Sequence, residues 1–181
     1  TAGVNLRWTE AIAFLYRRGY ETDRVAVVDM RVDLHTAPLD AAEAIARLAQ
    51  EGITLRRAKS DEIDLIADFA RCVFNEAWQI EVLEAGREKP PKLFAAFDGP
   101  HCIAFAAYDA VAPRYFGPTG TLPGYRQRGI GTALLKMCLR EMYARGDQAA
   151  YFSWAGPVAF YAREVGAHIC QAYWVFQREL A

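Results

Sequence analysis

Residues 116–132 read Phe-Gly-Pro-Thr-Gly-Thr-Leu-Pro-Gly-Tyr-Arg-Gln-Arg-Gly-Ile-Gly-Thr, and the fold turns on this stretch. Tyr115–Leu122 has the aromatic and β-branched residues of a strand, yet Pro118 and two glycines interrupt it. Proline removes a ladder donor and glycine packs nothing, so such a strand is irregular and lies at an edge or beside a split in the sheet. After Pro123-Gly124, the run Arg126-Gln127-Arg128-Gly129-Ile130-Gly131 opens the strongest helical pattern in the chain. Over 128–145, Ile130, Leu134, Met137, Cys138 and Met142 form an apolar stripe, and Gly146 stops it.

Amides in the first turn of a helix have no intrahelical acceptor and sit at the positive end of its dipole, so a phosphate is a natural ligand there. Gly129 and Gly131 lack a Cβ and let the backbone approach phosphate oxygens, while Arg126 and Arg128 add positive charge. Read alone, Gly-x-Gly before a helix also fits a plain turn. Two nucleotide motifs fail. A P-loop needs Gly-Lys-Ser/Thr, and here Thr132 follows Gly131 directly; a dinucleotide fingerprint needs a third glycine where Leu134 stands.

Working outward, 150–154 reads as a strand, 157–165 as a helix with Pro157 at its start, and 169–178 as a closing strand. Upstream, Ile53–Arg57 is a short strand, and Ser60-Asp61-Glu62 opens a helix that runs to Val73. A second helix is predicted over 80–87. Leu93–Phe97 and Cys102–Tyr108 form a hairpin around Asp98-Gly99-Pro100. The order from residue 53 is β-α-α-β-β-β-α-β-α-β, an α/β layer arrangement around a mixed sheet.

Composition narrows the class without naming a reaction. A net charge of −1 argues against a nucleic-acid partner held by general basicity. Cys72, Cys102, Cys138 and Cys170 form no C-x-x-C pair and have no histidine at ligand spacing, so reduced thiols are expected and a metal is not. No apolar stretch reaches the roughly 20 residues that span a bilayer, and a cytoplasmic location is the expectation.

Leu122-Pro-Gly-Tyr-Arg-Gln-Arg-Gly-Ile-Gly-Thr-Ala-Leu-Leu135 resembles the acetyl-CoA-binding motif of the GNAT (GCN5-related N-acetyltransferase) family. Ala155-Gly-Pro-Val-Ala-Phe-Tyr161, with Val165-Gly166-Ala167, resembles a later motif of that family, a helix bearing Phe-Tyr and ending near glycine. The resemblance implies a GNAT-like, partly splayed mixed sheet flanked by helices over residues 53–181. It implies a donor pyrophosphate on the amides of Arg126, Gln127, Arg128, Gly129, Ile130, Gly131 and Thr132. The pantetheine arm would pair with the backbone of Thr119, Gly120 and Thr121, and Tyr161 would return a proton to the departing thiolate; packed on the sheet as a helix aromatic is its other reading. Trp154 stands where the family often has Asn. The implied function is an N-acetyltransferase in which an amine of a small molecule or peptide attacks the thioester directly. A CoA-binding domain without turnover is the alternative. No residue announces itself as the base: Glu76, Glu81 and Asp109 fall where such clefts often carry carboxylates, and His101 sits in a hairpin turn.

Residues 1–35 pose a separate question. Trp8–Gly19 reads as a helix and Arg24–Leu34 as a strand, followed by a linker helix within 36–52. Ala13-Phe14 and Ala159-Phe160 share an offset of 146, as do Leu34 and Leu180. Ala11–Tyr20 also resembles the later motif of a preceding GNAT repeat. A remnant of that kind is expected to dock as an added edge or to pair with a second molecule, and its deletion to leave 53–181 folded.

Overall fold

Leu93–Asp98 (β4) and His101–Tyr108 (β5) are apolar at almost every position, a pattern that fits a strand covered on both faces. They pair antiparallel around a two-residue turn at Gly99-Pro100 and form the centre of the main unit. The computed structural model describes residues 3–22 and 26–179; the expectations for Arg24, Val25 and Leu180 lie outside the described residues. Ile53–Arg57 (β3) adds to the free edge of β4, and Tyr115–Thr121 (β6) pairs antiparallel with β5. Ala149–Phe152 (β7) is parallel to β6. Val4–Asn5 (β1), Ala26–Asp33 (β2) and His168–Trp174 (β8) complete an eight-stranded, mostly antiparallel sheet in the order β1-β8-β2-β7-β6-β5-β4-β3.

Helices cover both faces. Ala42–Gln50 (α2), Ile130–Ala144 (α5) and Val158–Val165 (α6) pack over one core, which gathers Leu48, Phe94, Phe116, Leu134, Leu135, Phe152 and Val165. Ile63–Val73 (α3) and Glu76–Gly86 (α4) cover β4 and β5 on the other, around Ile66, Val82, Leu93 and Phe105. The second of these begins four residues before the predicted Ile80, because the Asn75 side chain accepts the Trp78 amide at 2.9 Å and caps it. Glu62 closes the entry to α3: it accepts the Lys59 amide at 2.9 Å and both arms of Arg56 at 2.6 Å.

The amino-terminal segment departs from expectation. Thr9–Arg17 (α1) is a helix with no buried residue, but β2 is not an added edge. It lies inside the sheet, antiparallel to β7 on one side and β8 on the other. Both its ladders are filled, so only the short β1 offers a free edge at that end. Met30, Val32 and the following Leu34 are at most 2% exposed and belong to the main core. The strands β1-β8-β2-β7 also carry a local twofold: β1 leads through α1 to β2 as β7 leads through α6 to β8, and each first strand pairs with the other unit's last. Val27 and Tyr173, equivalent under the offset seen in the sequence, face each other at its centre.

Two expectations follow. Each large aliphatic side chain buried by β2 contributes roughly 1.5–3 kcal/mol, and its removal would also strand the edges of β7 and β8. Deletion of residues 1–35 should therefore abolish cooperative thermal unfolding of the remainder; a deletion variant that melts like the intact chain would contradict this. The Glu62 carboxyl is held down at about 2, chiefly by its hydrogen bonds from Arg56. A depressed carboxyl stabilises the fold above its ordinary value near 4.5, and that stability is lost as pH falls toward 2. Glu62→Gln should thus melt below wild type at pH 7, with the gap closing between about pH 4.5 and 2 in paired melts.

Candidate functional site

Phe116 is the last residue of β6 that pairs with β7: the parallel ladder holds only Tyr115↔Tyr151 and Phe116↔Phe152. On its other side β6 stays bonded to β5, through Thr119, Gly120 and Thr121. From Gly117 on, one edge of β6 therefore faces a gap, and a cleft of about 1470 Å³ opens there. Pro118 occupies this open stretch, where its missing donor costs no ladder bond. Gly120 is needed for a different reason. A Cβ there would come within 2.4 Å of the Phe74 ring, which packs on the strand from the α3–α4 junction.

The cleft runs from the start of α5 to the first turns of α4. Gly129 caps α5 with φ +82°, a conformation that disfavours any side chain. A Cβ at Gly131 would meet only the Thr121 hydroxyl at 3.7 Å, so the space over the first turn of α5 is open. Thr119, Gly120, Thr121, Arg126, Gln127, Gly129, Ile130, Gly131 and Thr132 all line the cleft, as does Tyr161. Arg128 does not. Its guanidinium pairs with Glu51 at 2.6 Å and lies over the Tyr125 ring, while Arg47 donates to its carbonyl at 2.6 Å. The turn is thus held from the end of α2, by Arg47 and Glu51, which are themselves an i, i+4 ion pair at 2.5 Å. Arg126 reaches back to the Thr121 carbonyl at 3.1 Å.

Tyr161 is 6% exposed and stacks on Phe152 at 4.3 Å. Burial pushes its phenol up to about 12. Its hydroxyl has no hydrogen-bond partner among the described residues and is not sealed from the cleft. Leading into α6, residues Ser153–Pro157 form another part of the cleft wall, in which Trp154 takes φ +46° and is 45% exposed. Asp29, a buried acid on β2, holds this wall: it accepts the Trp154 amide at 2.9 Å and the Tyr173 hydroxyl at 3.0 Å, and Val28 accepts the Ala155 amide at 2.8 Å. Asp29 escaped the sequence reading; its only signal was an acid between Val28 and Met30 in a mainly apolar strand.

The three candidate carboxylates separate. Asp109 is spoken for. Burial acts to raise it, but Arg145, the Arg114 amide and Lys92 hold it below the usual carboxylate range. Glu76 is exposed at the start of α4 and off the cleft wall. Glu81 lines the cleft, and burial raises its carboxyl. His101 lies exposed at the start of β5. The four cysteines are free thiols, and no cluster of three or more potential metal ligands exists among the described residues. No helix among them is long and apolar enough to cross a membrane.

Comparison with known proteins places this geometry. A search of curated proteins returns no match. A GCN5-related glucosamine N-acetyltransferase region of a fungal multi-domain GH3 β-N-acetylglucosaminidase superposes with a TM-score of 0.77 at 21% identity, over 96% of this chain and 24% of that one. A GCN5-related N-acetyltransferase from Sphaerobacter thermophilus gives 0.74 at 22%, over 96% and 57%. A tandem GNAT protein from the clavulanic acid biosynthesis pathway gives 0.62 at 16%, over 97% and 61%. The chain therefore spans between a quarter and three fifths of these relatives' lengths, and at such identities the likeness is one of fold. The profile of the acetyltransferase (GNAT) family matches residues 61–167, more than half of the chain and every element from α3 to α6, and the chain belongs to that family.

Proposed function

We propose that the chain is an acetyl-CoA-dependent N-acetyltransferase that works by direct attack of an amine on the thioester. The observation that carries this reading is that one cleft is lined by three features at once: the first turn of α5, the open edge of β6, and Tyr161. First-turn amides and Gly131 suit a pyrophosphate. The free backbone groups of Thr119–Thr121 suit the amides of a pantetheine arm, and an amide of this strand would polarise the thioester carbonyl as an oxyanion hole does.

The ammonium loses one proton to water, and the neutral amine nitrogen attacks the thioester carbon and forms the C–N bond. The nitrogen gives a second proton to water, the tetrahedral intermediate collapses with cleavage of C–S, and the thiolate takes the Tyr161 proton. The tyrosinate is reprotonated from water, so one acetyl-CoA and one ammonium give an amide, free CoA and a proton. The phenol is protonated at neutral pH, and while burial pushes it up to about 12, the same water-poor site makes the departing thiolate basic enough to take its proton. A domain that binds CoA without turnover is the second reading, favoured by the bulk of Trp154 in the cleft.

We also read β1, α1 and β2 as the end of a preceding GNAT-like repeat. The local twofold supports this, and so does the tandem architecture of one structural neighbour.

Gly131→Val should leave the melting curve intact, since the Cβ has room, yet raise the Kd for acetyl-CoA by at least about tenfold, or about 1.4 kcal/mol; unchanged affinity by calorimetry would remove the pyrophosphate from α5. Tyr161→Phe keeps the stacking and should lower kcat roughly 10²–10⁴-fold with little effect on acetyl-CoA affinity. Full turnover by that variant would leave the tyrosine a purely structural role.

A further inference from the structure

One part of the cleft lining differs in character from the glycine-rich turn before α5. Phe74, Trp78, Val111, Tyr115 and Trp154 line it, and Glu81 is the one acid among them. Phe74 and Trp78 lie with ring centroids 4.9 Å apart, and Phe74 rests on β6 at Gly120. Glu81 is one helical turn beyond Trp78, so the two share a face of α4.

Charge accounting singles out Glu81. The other acid on the cleft wall, Glu164, is paired with Arg163 at 2.7 Å. The other wall cation, Arg126, belongs to the turn before α5. Glu81 has no hydrogen bond or ion pair among the described residues, and burial raises its carboxyl. A half-buried carboxylate without a partner is unfavourable until a cation enters beside it. Aromatic faces reward the same cation. They carry no hydrogen-bonding group for sugar hydroxyls, and a second ammonium finds no second unpaired carboxylate beside Glu81.

Resting on the acetyl-transfer reading, we propose that the acceptor is a primary monoamine carried on an apolar or aromatic body, its ammonium group against Glu81 and its body against Phe74 and Trp78. Glu81 is then the residue that selects the acceptor. Polyamines, amino sugars and lysine side chains in charged peptides are disfavoured, because each brings polar groups that this wall leaves unpaired.

The test begins with calorimetric titration of acetyl-CoA into the intact chain; failure to bind would overturn the acetyl-transfer reading itself. With binding established, thiol release is followed with 2-phenylethylamine, n-hexylamine, spermidine, glucosamine and a lysine-containing peptide. The two monoamines should show kcat/KM at least tenfold above the others. Glu81→Gln should raise KM for 2-phenylethylamine about tenfold while the acetyl-CoA Kd stays unchanged, and Trp78→Ala should erase the preference for 2-phenylethylamine over glucosamine. A preference for spermidine, glucosamine or the peptide would overturn the proposal, as would no turnover of either monoamine or an unaltered KM in Glu81→Gln.

Discussion

Between Gly117 and Thr121, β6 has a hydrogen-bonding neighbour on one side only, and the site is organised by that constraint. Backbone amides and carbonyls left without a ladder need water or a ligand. Only a strand rich in proline and glycine, backed by a fully bonded β5, holds such an edge without collapsing onto its neighbour. The surrounding elements keep the gap open: Phe116 and Phe152 pack edge to face where the strands still touch, Tyr161 stacks on Phe152, and Phe74 closes over Gly120.

Much of this was legible in the residues. Pro118 and its neighbouring glycines marked the split because each removes something a regular strand requires. The stripe from Ile130 to Met142 marked α5 because its period is helical. From Ile53 to Trp174 the predicted order of elements is the observed order. What escaped was long-range. Apolar alternation announces a buried strand without naming its neighbours, so β2 read as a detachable edge although it pairs with β7 and β8. The two-residue β1 has too little pattern to read. Arg128 looked like a phosphate ligand because its partner Glu51 lies far back in the sequence, and Asp29 was silent for the same reason: its partner is the amide of Trp154.

The stretch before residue 53, which reads as an appendage, frames the cleft at both ends. From α2, Arg47 and Glu51 brace the turn that leads into α5. From β2, Asp29 and Val28 pin the wall around Trp154. Neither group enters the cleft. They act on its shape by fixing backbone, so a change in either alters how the site is presented rather than what it contains.

The placement of β2 between β7 and β8 also sets an order of events at the ribosome. Its partners β7 and β8 lie far on in the sequence, so the apolar side chains of this strand are made well before the strands that cover them. Contacts that distant in sequence carry a loop-closure cost before they return any stability. Residues 53–145 contain the local hairpin and helices and can begin to order first. The sheet closes only once β7 and β8 have both been made and β2 has slotted between them, and until then the strand's apolar side chains are open to self-association.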